Sequence, residues 1–157
     1  NILATWTSFK ALGREGHQAL VGHTVEISEH LKACINACKQ YGFCIANQEP
    51  FGCDIFLRCY PPGIDPDATY RMELNDDDSL RNYTDYNNKF AKWLIANKSQ
   101  GDEGIALSKS SAAFYTNTGK PMVALRIYPL NPYITAESAQ ILVDRLVKAK
   151  TEFDSIR

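Results

Sequence analysis

Arg126 interrupts an otherwise apolar run, Met122-Val123-Ala124-Leu125-Arg126-Ile127-Tyr128, that leads directly into Pro129-Leu130-Asn131-Pro132. Alternation along a strand puts Val123, Leu125 and Ile127 on one buried face and Met122, Ala124, Arg126 and Tyr128 on the other. A guanidinium in such a place is costly unless an anion meets it, and its planar fork of donors matches a carboxylate. Two sources satisfy that demand. An Asp or Glu elsewhere in the domain makes Arg126 a structural ion pair; the carboxylate of a small ligand makes it a binding residue.

Other reactive side chains form weaker patterns. His23 and His30 lie seven residues apart on one helical flank, with Glu26 between them. A His-Glu-His metal or proton-transfer site is one reading, but a heptad spacing alone does not specify a ligand set, and a half-exposed flank or a seam against another domain is favoured. The five cysteines, Cys34, Cys38, Cys44, Cys53 and Cys59, are odd in number and fall on helix and strand positions. Free core thiols are expected rather than disulfides or a metal set. The stretch from Pro61 to Asp78 carries Asp65, Asp67, Glu73, Asp76, Asp77 and Asp78, which are not at calcium-loop spacing. It reads as a solvated surface loop.

The elements that must position these residues follow from periodicity. A helix over about 2–12 is predicted to stop at Gly13, and a longer one to run from about 15–17 to Tyr41-Gly42, burying a stripe of Leu20, Thr24, Ile27, Leu31, Cys34, Ile35 and Cys38. Short strands are predicted at 43–47 and 55–60, joined by a turn containing Pro50, and a third helix with a core aromatic stripe spans Tyr83 to Leu94. Two strand-like runs, 105–109 and 111–117, precede a turn at Asn117-Thr118-Gly119 into the Arg126 strand. The last helix opens at Thr135 as its cap and is predicted to turn Ile141, Leu142, Leu146 and Val147 to the core. This order implies an α+β domain: a mainly antiparallel sheet with helices packed on one face, the other face, bearing Arg126, being left for a partner.

Four segments, taken in order, carry a family resemblance: Leu3-Ala4-Thr5-Trp6-Thr7-Ser8-Phe9-Lys10-Ala11-Leu12-Gly13-Arg14-Glu15-Gly16, Cys53-Asp54-Ile55-Phe56-Leu57-Arg58-Cys59-Tyr60-Pro61, the helix around Tyr83 to Leu94, and Gly119-Lys120 through Asn131-Pro132. In order and spacing the chain resembles the C-terminal part of the pyridoxal-phosphate-dependent amino-acid decarboxylases, the group that includes glutamate, aspartate, cysteine-sulfinate, diaminobutyrate and aromatic-amino-acid decarboxylases. The resemblance implies the small C-terminal domain of a fold type I enzyme, with 1–16 as connecting helix and turn and 17–157 as the α+β domain. It implies a carboxy-lyase acting on an amino acid, with acidic substrates of the glutamate kind favoured, pyridoxal 5'-phosphate as cofactor, and a homodimer. It also implies that the Schiff-base lysine and most of the cofactor site lie upstream of Asn1, so that no catalytic residue is expected in this chain. Arg126 is the position matching the family's arginine for the substrate α-carboxylate.

Composition is compatible with one domain: 157 residues, 45% hydrophobic, 22% charged, formal net charge −1. No apolar run approaches the roughly 20 residues of a membrane span and no basic cluster suggests nucleic acid, so a soluble, cytoplasmic protein is expected. A Gly-x-Ser-x-Gly elbow, a metal-ligand helix and a phosphate loop are all missing from the sequence, which leaves an independent hydrolase without support. The alternative to the decarboxylase domain is a freestanding α+β module that binds a carboxylate without catalysis.

Overall fold

The computed structural model describes residues 2–47, 52–97, 107–129, 131 and 133–156. Its first helix, α1 (Ile2–Ala37), is two helices meeting at Gly13, whose backbone (φ 61°, ψ −171°) is a conformation that only glycine adopts without strain. The break is where the sequence places it. The stripe expected on the second segment is buried only in its later half: Ile27, Leu31 and Ile35 are buried, Cys34 and Cys38 are half-buried, and Leu20 is exposed. Before that, Trp6 and Phe9 are 58% and 57% exposed. A 3-10 turn at Lys39–Tyr41 and a left-handed Gly42 redirect the chain into β1 (Phe43–Ile45). A Cβ at Gly42 would collide with the carbonyl of Tyr60, so the hairpin requires glycine there.

The sheet adds β2 (Ile55–Cys59), β3 (Ser108–Tyr115) and β4 (Pro121–Ile127) in the order β1-β2-β4-β3, antiparallel throughout. Between β2 and β3 the chain forms α2 (Pro66–Glu73) and α3 (Asp77–Asn97), and α4 (Ala136–Ser155) follows β4. The two runs expected before the turn are one strand from Ser108, with a register shift between Ser110 and Phe114; residues 105 and 106 lie outside the described residues. Gly119, at φ 77°, completes the expected turn into β4.

The fold is α+β with a four-stranded antiparallel sheet, as the sequence implies. Residues of odd number on β2 and β4, among them Leu57, Leu125 and Ile127, share a core with Ile35 of α1, Phe90 and Leu94 of α3, and Val143, Leu146 and Phe153 of α4. The aromatic stripe of α3 is core, with Tyr86 and Phe90 both packed on Phe153. Thr135 caps α4 through the amide of Ser138. Ile141, expected in the core, is 45% exposed. The buried row is Ala139, Val143, Leu146, Lys150 and Phe153, and Ile141 sits about 200° around the helix from Val143.

The stretch from Pro61 to Asp78 is an exposed turn only at its start; from Pro66 on it is mostly helical rather than the expected solvated loop. Asp65 caps α2 by accepting from the amides of Asp67 and Ala68, Pro66 occupies the first turn, and Asp77 and Asp78 open α3 at its positive end. Glu73 is buried. The acids that look like surface charge therefore start helices or serve as a counter-ion.

That counter-ion meets Arg58 on the sheet's second face, where Tyr60, Met122 and Ala124 are also buried. Arg58 Nε and Nη2 donate to the two oxygens of Glu73, Nη1 donates to the Val123 carbonyl at 2.6 Å, and the Tyr60 hydroxyl donates to Glu73. Burial pushes the Glu73 carboxyl upward against the pull of Arg58 and Tyr60, and pushes the Tyr60 phenol well above its ordinary range. The second face is thus closed at this end and not left wholly for a partner.

Breaking a sealed ion pair leaves an uncompensated charge, whereas replacing both members removes the problem. Glu73→Gln should lower the urea-unfolding free energy by about 3–5 kcal/mol. Arg58→Met combined with Glu73→Leu should recover much of that loss; strict additivity of the two single variants would show that the pair is not coupled.

Candidate functional site

Arg126 is the half-exposed counterpart of Arg58 on the same sheet face. It stands opposite Phe56 of β2 and Ser108 of β3, near the end of the central strand β4. Asp54, one residue before β2, shares the parity of Phe56 and projects to the same side. Arg126 Nε and Nη2 both donate to Asp54 Oδ2, at 3.0 and 2.7 Å. The Tyr128 ring lies beneath the guanidinium, its centroid 4.8 Å from Cζ. The internal carboxylate that the sequence left open is therefore present.

It does not exhaust the guanidinium. Nη1 makes no hydrogen bond among the described residues, and the Arg126 side chain is 40% exposed. The same end of β4 borders a cavity of about 350 Å³ that opens mainly on the helix-covered side, its lining including Leu31, Ile127, Ile134, Ala139 and Leu142 as well as Arg126 and Tyr128. Its wall is mainly apolar with a few hydroxyls.

The backbone around Asp54 is itself fixed. Buried Asn47 donates to the Asp54 carbonyl and accepts from the amide of Phe56, while buried Ser28 donates to the Cys53 carbonyl. Asp54 Oδ1 is shut off from solvent and has no hydrogen-bond partner among the described residues.

The histidines do not converge. His23 Nε2 donates to the Ile134 carbonyl at 2.9 Å, and His30 Nε2 lies 3.6 Å from Cys34 Sγ. Two helical turns separate the rings by roughly 10 Å along the axis, too far for one ion. Glu26 is exposed, and among the described residues no three His, Cys, Asp or Glu side chains are grouped to hold a metal. His23 instead ties α1 to the segment leading into α4, behind the cavity.

Asp54 and the Arg58–Glu73–Tyr60 cluster were missed by sequence reasoning. Asp54 falls just before a strand, where a polar residue reads as loop; only the pairing of β2 with β4 brings it to Arg126. Glu73 was hidden among neighbouring acids. Arg58 carried a signal, a charge flanked by Leu57 and Cys59 in an apolar strand, of the same kind that singled out Arg126.

No family model matches the chain, and no curated protein matches it. Among the described residues no helix is long and apolar enough to cross a membrane.

All five cysteines are free, and burial pushes Cys44 and Cys59 up to about 12. Iodoacetamide at pH 8, mapped by mass spectrometry, should leave both unmodified in the native chain and alkylate them after denaturation. Rapid native labelling of Cys59 would contradict the packing of α3 on β2.

Proposed function

We propose that this chain is the C-terminal domain of a pyridoxal-phosphate-dependent amino-acid decarboxylase, in which Arg126 binds the substrate's α-carboxylate. The observation that carries the reading is the state of Arg126: held along one edge by Asp54 and on one face by Tyr128, 40% exposed, with Nη1 unbonded among the described residues. Its place on the strand before Asn131-Pro132 is the place the family resemblance requires. The exposed Trp6 and Phe9 of α1 are suited to packing against an upstream cofactor domain. A glutamate-like substrate and a homodimeric, cytoplasmic enzyme belong to the same reading.

The described residues do not fit attachment of the cofactor. The two buried lysines, Lys32 and Lys150, are committed to Glu29 and Asp154. In this reading the lysine lies upstream, and the cofactor, when bound there, supplies the electron sink for loss of carbon dioxide. The contribution of this chain is to bind and orient. A carboxylate fixed on the guanidinium fork is held at a defined angle, and orientation of the bond to be broken lowers the barrier.

The chain alone should therefore be silent: incubation with pyridoxal phosphate followed by borohydride should label no single lysine stoichiometrically. In the complete enzyme, Arg126→Lys keeps the charge and loses the fork, and Arg126→Met loses both. With a charge-assisted pair worth about 1.5–3 kcal/mol, kcat/KM should fall at least tenfold, with Met worse than Lys. Because Arg126 also neutralises Asp54, Arg126→Met combined with Asp54→Asn separates binding from folding. If that double variant regains both stability and activity, Arg126 is only a structural ion-pair residue.

A further inference from the structure

Asp54 meets Arg126 along the side edge of the guanidinium, Nε and Nη2, the edge that Glu73 takes on Arg58. Unlike Glu73, which uses both oxygens while the Val123 carbonyl takes Nη1, Asp54 holds its arginine with the single oxygen Oδ2. The terminal edge, carrying Nη1, is left with no partner among the described residues, on a side chain that is 40% exposed. Tyr128 covers one face of the guanidinium. Rotation of the plane is thereby opposed by a hydrogen-bonded edge and by a stacked ring, and the backbone that carries Asp54 is clamped by Asn47 and Ser28.

From this geometry we infer that Asp54 is a positioning residue for Arg126: it fixes the guanidinium so that its terminal edge presents two parallel N–H donors to one ligand carboxylate. The inference rests on Arg126 being a carboxylate receptor, as proposed above, and adds how the receptor is held and what it selects. The pair is close to neutral, so the site suits a single planar carboxylate and disfavours a dianion such as phosphate. Supporting groups that lock a binding side chain act through orientation rather than through contact with the ligand.

The sign of the effect distinguishes this role from plain electrostatics. A negative charge next to an anion site opposes anion binding, so a bystander Asp54 should, when neutralised, leave binding stronger. A positioning Asp54 should leave it weaker. Asp54→Asn conserves shape and one oxygen acceptor while removing the charge that holds Nε and Nη2.

The test uses the full chain with 15N-labelled arginine, titrated with L-norvaline and with L-norvalinamide, which differ only in the α-carboxylate. In the wild type, the Arg126 Nε–H resonance should exchange slowly with water before any ligand is added. L-Norvaline should shift it and L-norvalinamide should not, and inorganic phosphate should bind more weakly than L-norvaline. Asp54→Asn should retain the dispersed amide spectrum of a folded chain, speed Nε–H exchange, and weaken L-norvaline binding about tenfold. Asp54→Glu, which restores the charge on a longer stem, should recover part of the binding. Equal or tighter binding by Asp54→Asn overturns the positioning role and leaves the receptor reading standing. Absence of any L-norvaline response in the wild type overturns the receptor reading and this inference with it. Should Asp54→Asn fail to fold, the wild-type exchange rate decides: fast Nε–H exchange in the unliganded chain overturns the inference without any variant.

Discussion

The sealed pair between Arg58 and Glu73 is the constraint from which the rest of this arrangement follows. A fully buried guanidinium requires acceptors in every direction its donors point, and here they come from two other elements: both carboxylate oxygens of α2 and a backbone carbonyl of β4. Ions withdrawn from water in this way are tolerated only when the geometry is nearly complete. The tyrosine hydroxyl that also meets Glu73 supplies part of that completeness. Because Arg58 belongs to β2, α2 has little freedom in where it lies. Its position closes one end of the second sheet face and leaves the Arg126 end as the polar opening.

The two arginines of that face show how one side-chain type serves two purposes. Arg58 and Arg126 are close neighbours across β2 and β4, since Phe56 stands opposite Arg126. Arg58 has both oxygens of its carboxylate and a carbonyl, and no exposed surface. Arg126 has one oxygen, an aromatic face and substantial exposure. The first arrangement completes a packing problem. The second leaves Nη1 without a partner among the described residues.

Where local pattern decides structure, the sequence was a sufficient guide. Gly13 breaks α1, Thr135 caps α4, Gly119 completes the hairpin turn, and α3 buries its aromatic stripe, each through chemistry contained within a few residues. What could not be read depends on distant pairing. The stretch containing Glu73 resembled solvated acid because its counter-ion lies on another element, 15 residues away in sequence. Asp54 and Arg126 are 72 residues apart and meet only through strand order. Met122 and Ala124 were expected on an open face, and are buried because the second face is itself packed over much of its length. Ile141 failed for a different reason: consecutive apolar residues on α4 leave the helical phase ambiguous, and Val143 and Phe153 settle it in the fold.

Asn87 carries a consequence for how the domain assembles. The β2–β4 pairing ends at Leu57–Leu125, two residues short of where Cys59 would face Val123. The amide side chain of Asn87 on α3 accepts from the Cys59 N–H and donates to the Cys59 carbonyl, both at 2.9 Å, while Arg58 takes the Val123 carbonyl. A helix residue thus stands in for a strand at the middle of the sheet. Chain-closure entropy for these bonds must be overcome together, since none satisfies its backbone group until helix and strands are all in place. Docking of α3 and completion of the β2–β4 seam therefore form one cooperative unit, and a local opening of α3 at Asn87 uncovers the backbone of a central strand.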